Sequence, residues 1–461
     1  GVEFALPINV KRLCRLQSVG FNHSQISHRN VKMESGKFIA YRGKSGTTSQ
    51  TIIIELDDLT SKTRLLTSFD SVIMHPRHHI FAMRSGKVIS ICDIITKAEL
   101  KKHTLSEDVI FWKWIDELTV GIVTRTAVFH WSLAGDVAPV KIFKTELQGY
   151  KIIDYMASER RQWLQLTGVR KTDSEVYKYQ LYNTKRKESQ LMDGFVACSA
   201  AFVHFTMEGN LSPSTLILSA SARRGMPGKL LVTELGSPID GNRPYPKVEV
   251  DVPCSAEFPD DTIYVQTSPR QGIVHLITKH GFIHIFDLES GMIIYSKQIC
   301  LENIAITTVN ANDSIVGITR SGEVIRVSLN EQTMIEHLRR TMPNLATKLS
   351  RRWNIPFVHR IPDAFISPPP PYQAPPPYSA IDNAKYEVYL DIQLKNIAYF
   401  IIFHSNFDFH NESNLRAERA ERERDELSTR YQELLRIHRD TLLRIRRRSD
   451  DASEIEEEIS T

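Results

Sequence analysis

Ile273-Val274-His275-Leu276-Ile277, then Thr278-Lys279-His280-Gly281, then Phe282-Ile283-His284-Ile285-Phe286-Asp287-Leu288 decide how this chain is read. Two runs of β-branched, aromatic and aliphatic residues flank a short turn that ends in glycine, which is a hairpin pattern. The same pattern returns at His79 to Met83, Arg84-Ser85-Gly86-Lys87 and Val88 to Ile94. It returns again at Ile315 to Ile318, Thr319-Arg320-Ser321-Gly322 and Glu323 to Val327. A lone hairpin cannot bury its apolar face. Recurrence at roughly 40–50 residues therefore predicts blades of a propeller, an architecture that usually binds rather than catalyses.

Between about Lys37 and Leu329 the apolar cores fall into seven candidate blades, near residues 38–56, 72–95, 109–133, 150–183, 200–235, 262–295 and 304–329. The strand around Leu6-Pro7-Ile8 is expected to pair with the last blade and close the ring, removing open sheet edges. The fold class read from this is all-β, a seven-bladed propeller over residues 1–330. A helical linker follows at 331–353: Met334, Leu338, Met342, Leu345 and Leu349 fall near helical spacing over 332–350, with Pro343 breaking or kinking it. Residues 354–413 form a proline-rich, irregular linker expected to be disordered. Residues 414–461 are Arg/Glu-rich and predict a solvated helix, with a coiled coil as the alternative.

With 461 residues and a net charge of +4, the chain has room for a large core and no general affinity for nucleic acid. Cys14, Cys92, Cys198, Cys254 and Cys300 are far apart and form no CxxC pair, as expected of thiols in a reducing cytosol rather than a zinc site. The longest apolar run, Ile397 to Phe403, is too short to span a bilayer. The opening Gly1-Val2-Glu3 lacks Met, as expected of a truncated or processed start.

Several short motifs invite sharper readings. Trp112 and Trp114 lie two apart, so on a strand they share a face, and packing between blades explains them better than a ligand platform. Gly43-Lys44-Ser45 lacks the upstream glycine of a phosphate-binding loop, because Phe38 stands there, and reads as a hairpin end. His75, His78 and His79 read as a solvated turn rather than a metal site. No nucleophile–base pair or carboxylate pair stands out, so no enzyme activity, cofactor or metal is expected. Pro369-Pro370-Pro371-Tyr372 and Pro375-Pro376-Pro377-Tyr378 both fit Pro-Pro-x-Tyr, the ligand type of WW domains. A spacer, or translated non-coding sequence, is the alternative.

Further words carry a resemblance. In order they are Met33-Glu34-Ser35, Lys37-Phe38-Ile39, Lys102-His103-Thr104, Phe111-Trp112-Lys113-Trp114-Ile115, His130-Trp131-Ser132 and Pro139-Val140-Lys141. Then come Trp163 to Gly168, Met207-Glu208-Gly209-Asn210, Leu276-Ile277-Thr278-Lys279 and Asp287 to Gly291. Over about residues 4–350 this series resembles the N-terminal domain of the clathrin heavy chain. The family's helical-repeat leg does not follow after about residue 350. The resemblance implies a seven-bladed propeller without catalysis that binds short endocytic or sorting adaptor peptides. It also implies a cytoplasmic place on coated vesicles or pits, reached through adaptors.

The family's best-known pocket lies between the first two blades. Its rim lysine is matched by Lys97, and its second lysine falls on Glu99. Its aromatic wall falls on Cys92, its threonine and glutamine on Val88 and Ser90, and its isoleucine on Phe81. Its rim arginine falls on Leu65, with Arg64 adjacent. A second pocket uses a phenylalanine that is His28 here and a glutamine that is Lys151, while Ile153 is retained. The scaffold words are kept better than the pocket words, which predicts weakened binding of the family's usual acidic–apolar peptides.

Overall fold

The computed structural model describes residues 5–21, 26–45, 48–65, 69–135, 137–171, 175–194, 198–223, 226–253, 262–309 and 312–356. The proline-rich linker and the Arg/Glu-rich segment lie outside the described residues. The described strands form seven antiparallel four-stranded sheets. Blades 1 to 6 span residues 31–65, 71–104, 109–144, 151–194, 198–251 and 262–298, each a meander in chain order. Blade 7 takes three strands from residues 304–329 and its fourth from Ile8–Arg15. From blade 2 to blade 7 the first strands of successive blades touch, which places them around the axis and the fourth strands at the rim.

The hairpin that decides the fold is Ile273–Thr278 paired with Phe282–Asp287, in register from Ile273↔Asp287 to Ile277↔Ile283. Gly281 closes its turn at φ +81°, where a side chain would also collide with the backbone carbonyl of Cys300. The ring closes as the pattern predicts. Ile8–Arg15 runs antiparallel to Glu323–Leu329, from Ile8↔Leu329 to Arg15↔Glu323. Ile8 is 1% exposed, and the amide of Asn330 donates to the carbonyl of Pro7.

Because strand side chains alternate, each blade presents one apolar face to each neighbour. Phe38, Ala40 and Ile53 of blade 1 face Val72, Met74 and Phe81 of blade 2. The alternate residues Ile39, Tyr41, Ile52 and Ile54 face Val316, Ile318 and Val324 of blade 7. Trp112 and Trp114 are both buried and reach back to blade 2, their indoles donating to Ser71 Oγ (3.0 Å) and the carbonyl of Ile73 (3.3 Å). The pair is therefore interblade packing. Gly43–Ser45 ends the strand Phe38–Ser45, which pairs with Thr48–Glu55 as a hairpin.

His75 departs from the solvated-turn expectation. It is 1% exposed, its Nδ1 accepts from the amides of Arg77 and His78, and its Nε2 donates to the carbonyl of Glu117 (2.6 Å). A turn whose amides have no ladder partner is satisfied here by a buried neutral imidazole, and burial pushes its pKa down. His79 pairs with Glu55 at 2.9 Å. Among the described residues no group of three His, Cys, Asp or Glu is placed to hold a metal ion.

Two helices follow the ring: α1 (Glu331–Thr341) and α2 (Pro343–Arg352). The Asn330 side chain caps α1 by accepting from the Thr333 amide (3.1 Å), and Pro343 starts α2, where a missing N–H costs nothing. Met334, Ile335, Leu338, Leu345, Ala346 and Leu349 pack on Ile273, Ile294, Ile325 and Val327 of blades 6 and 7. The end of α2 is fastened to blade 6 by charge. Arg352 donates to Asp287 Oδ1 (2.7 Å) and Glu289 Oε2 (3.1 Å), and the Trp353 indole donates to the carbonyl of Gln271 (2.8 Å).

Candidate functional site

Blade 2 builds its face toward blade 1 from two strands, Ile80–Ser85 and Val88–Asp93. Their register pairs Phe81 with Cys92, Met83 with Ser90 and Ser85 with Val88. Cross-strand partners share a face, so Phe81, Met83, Val88, Ser90 and Cys92 stand together. Phe81 and Cys92 are buried against Phe38 and Ile53, with Leu65, Met83 and Ile94 partly buried beside them. Ile89 and Ile91 take the opposite face and pack on blade 3. Ser90 is buried and Val88 half-buried.

Arg64 is not brought to this face. On the outer strand of blade 1, Leu65 opposite Thr51 joins the Phe81 cluster, while Arg64 opposite Ile52 is exposed. Alternation sends the Arg64 charge toward Tyr41, on the side that packs against blade 7.

The rim lies on the outer strand of blade 2, Glu99–Thr104, and the turn before it. Asp93 Oδ1 accepts from the amides of Ile95 and Thr96, which tightens that turn, and exposed Lys97 follows at φ +58°. Glu99 stands opposite Cys92 and Lys102 opposite Ser90, with Lys102 Nζ 3.7 Å from Glu99 Oε2. Burial raises the pKa of the Cys92 thiol, the Glu99 charge raises it further, and Lys102 opposes both. The thiol is therefore a protonated apolar surface rather than a nucleophile. Lys102 is a groove residue that the resemblance did not point to. A bulge between Ile91 and Cys92 sets which side chains of Glu99–Thr104 face the groove, and no residue pattern announces it. Lys101 turns the other way and donates to the carbonyl of Ser132 in blade 3 (2.7 Å).

The second set, His28, Lys151 and Ile153, falls near the axis. Tyr264 donates its hydroxyl proton to the carbonyl of Ala305 (2.8 Å), so His28 Nε2–H donates to the phenol oxygen (3.0 Å). Burial lowers the His28 pKa, and Lys32, Lys113 and Lys151 lower it further against Asp154. Lys151 and Ile153 lie on the first strand of blade 4, Lys151–Ala157, with Ile153 at its bulge and 38% exposed. His28 and Lys151 are thus brought into one charged neighbourhood. The tandem proline–tyrosine motifs, Pro369 to Tyr372 and Pro375 to Tyr378, lie outside the described residues.

Among the described residues no helix is long and apolar enough to cross a membrane. No protein-family model matches the chain. Curated proteins do. The chain is 42% identical over 359 residues to "Probable clathrin heavy chain 1" of Caenorhabditis elegans, covering 76% of this chain and 21% of that protein. It is 38% identical over 357 residues to the clathrin heavy chain of Drosophila melanogaster, again 76% and 21%. It is 37% identical over 357 residues to clathrin heavy chain 2 of Homo sapiens, 76% and 22%. The chain thus spans about a fifth of the length of these relatives. Over three quarters of its own length, this chain is a homologue of the clathrin heavy chain, and its seven blades match that family's N-terminal propeller.

Proposed function

We propose that this propeller is a non-catalytic, coat-type component of cytoplasmic vesicle transport and endocytosis, which captures short adaptor peptides between blades 1 and 2. It would meet membranes only through those adaptors, on coated vesicles or pits. The observation that carries this reading is the apolar seam between blades 1 and 2, where half-buried Leu65, Met83 and Ile94 flank buried Phe81 and Cys92, rimmed by exposed Lys97 and Lys102. An extended peptide with an apolar anchor and flanking acids suits such a groove: sockets give the anchor and lysines orient the charges. Glu99 works against it by repelling acids and by occupying Lys102.

Glu99→Lys should therefore tighten binding of an acidic–apolar peptide by about three- to tenfold, because the rim is solvated and its charges are screened. Fluorescence anisotropy with a labelled peptide measures this, and the gain should shrink with added salt. Equal affinities for parent and variant would remove Glu99, and with it this groove, from the account.

A second reading rests on the two Pro-Pro-x-Tyr motifs. In tandem they would recruit WW-domain proteins with avidity, making the propeller a scaffold or decoy. Deleting residues 368–378 should then release those partners and leave groove peptides bound. Unchanged partners after the deletion would discard the scaffold.

A further inference from the structure

Blades that are not neighbours in the ring meet only at its axis, and several of them send ionisable side chains there. Lys32 and Glu34 come from blade 1, Lys113 from blade 3, Lys151 and Asp154 from blade 4. Lys113 Nζ lies 3.2 Å from Asp154 Oδ1, and each of these side chains keeps 38% of its surface accessible. Groups hemmed by several blades yet still wetted are channel-lining groups. Three lysines face two carboxylates, an excess of one positive charge.

That excess is not neutralised locally. Lys113 is charged because Asp154 holds it so, whereas Lys32 and Lys151 make no salt bridge among the described residues. Burial pushes the Lys32 ammonium down, Glu34 draws it back, and Arg84, Lys113 and Lys151 push it down again. Glu34 is equally unsettled. Its Oε2 is buried without a hydrogen-bond partner, and burial raises its pKa to about 7 against the pull of Lys113, Lys32 and the Trp114 amide, with Asp154 adding to the rise. Below that pH the excess grows to two charges, and the carboxyl gains a proton to donate.

Lysines carried to the axis by the inner strands of three blades, with no guanidinium fork among them, suit a compact anion better than a planar carboxylate. We propose that the axial channel of this propeller binds a small tetrahedral oxyanion, phosphate in the cell, between Lys32, Lys113 and Lys151. The site is separate from the blade 1–2 groove and stands whether or not that groove binds peptides.

Isothermal titration of the full chain with sodium phosphate, against sodium chloride at equal ionic strength, tests it. One saturable site is expected for phosphate and none for chloride. Lys32→Gln and Lys151→Gln should each weaken it about tenfold while the melting temperature is kept, since a charged hydrogen bond of ~1.5 kcal/mol is lost. Sulfate keeps its charge between pH 6.5 and 8, so it isolates Glu34. Sulfate affinity should rise as pH falls through about 7 in the parent chain. In Glu34→Gln it should be tight and flat across that range. Burial and the neighbouring lysines push the His28 pKa down, away from that range. Non-saturating heats for the parent, or unchanged affinity in both lysine variants, overturn the proposal. So does Glu34→Gln behaving as the parent does.

Discussion

Removing residues 1–15 abolishes cooperative folding of the propeller, on this account, although the deletion touches no candidate binding residue. Ile8–Arg15 is the fourth strand of blade 7 and pairs along its length with Glu323–Leu329. Its loss uncovers that ladder, together with the apolar surface that covers Ile8 and partly covers Leu13 and Cys14. Ladder bonds contribute roughly 0.5–1.5 kcal/mol each, and a buried aliphatic side chain about 1.5–3 kcal/mol. The loss is on the order of 5–10 kcal/mol, comparable to the whole stability of a domain. The exposed edge would also template aggregation. Circular dichroism melts and size-exclusion chromatography read both effects, and a synthetic peptide of residues 5–16 should partly restore the fold. A melt within a few degrees of the parent, with a monomeric elution, would mean that the ring is closed by something other than this strand.

Arg352→Ala has the next largest effect. It strands Asp287, which is 1% exposed, and leaves Glu289, at 10%, with only the long contact from Arg243 (3.5 Å) among the described residues. Breaking a buried pair from one side costs about 3–5 kcal/mol, because the abandoned charge is desolvated without compensation. Asp287 Oδ2 still accepts from the amide and hydroxyl of Ser290, so the turn it organises should persist while α2 lifts away. Urea unfolding should show the midpoint falling steeply. Adding Asp287→Asn to Arg352→Ala should recover part of the loss, since the stranded charge is gone. A loss of under about 1 kcal/mol for Arg352→Ala would mean that α2 is held by its apolar face alone.

The reach of sequence reading follows the physics of each strand. Inner and middle strands such as Ile273–Thr278 are buried on both faces and announce themselves as apolar runs. The outer strands do not. Glu99–Thr104 reads Glu-Leu-Lys-Lys-His-Thr and is exposed or half-exposed throughout, so its apolar content ends blade 2 near residue 95. Lys62–Leu65, Val140–Lys144, Glu188–Gly194 and Val248–Asp251 escaped the blade boundaries in the same way. Charged outer strands protect an edge by carrying no hydrophobic signature.

The groove was partly legible for the same reason. Period-two alternation alone puts Val88, Ser90 and Cys92 on one face, but the bulge that turns Lys102 toward Ser90 is a backbone event without a residue code. Arg64 and Leu65 are neighbours in sequence and face different blades, so adjacency could not substitute for register. Of the axial charges, the resemblance pointed to His28 and Lys151 and not to Lys32, Glu34, Lys113 or Asp154. Lys32, Lys113 and Lys151 are far apart in the chain and meet only because the ring closes.

The proposed function requires that a peptide sit between blades 1 and 2. An acidic–apolar peptide carrying a photoreactive group at its apolar anchor, cross-linked to the full chain and mapped by mass spectrometry, answers that directly. The account predicts adducts on residues 81–92 and 97–102, lost when the unlabelled peptide competes. Competed adducts confined to other blades, or to the axial set of His28, Lys151 and Ile153, would contradict it.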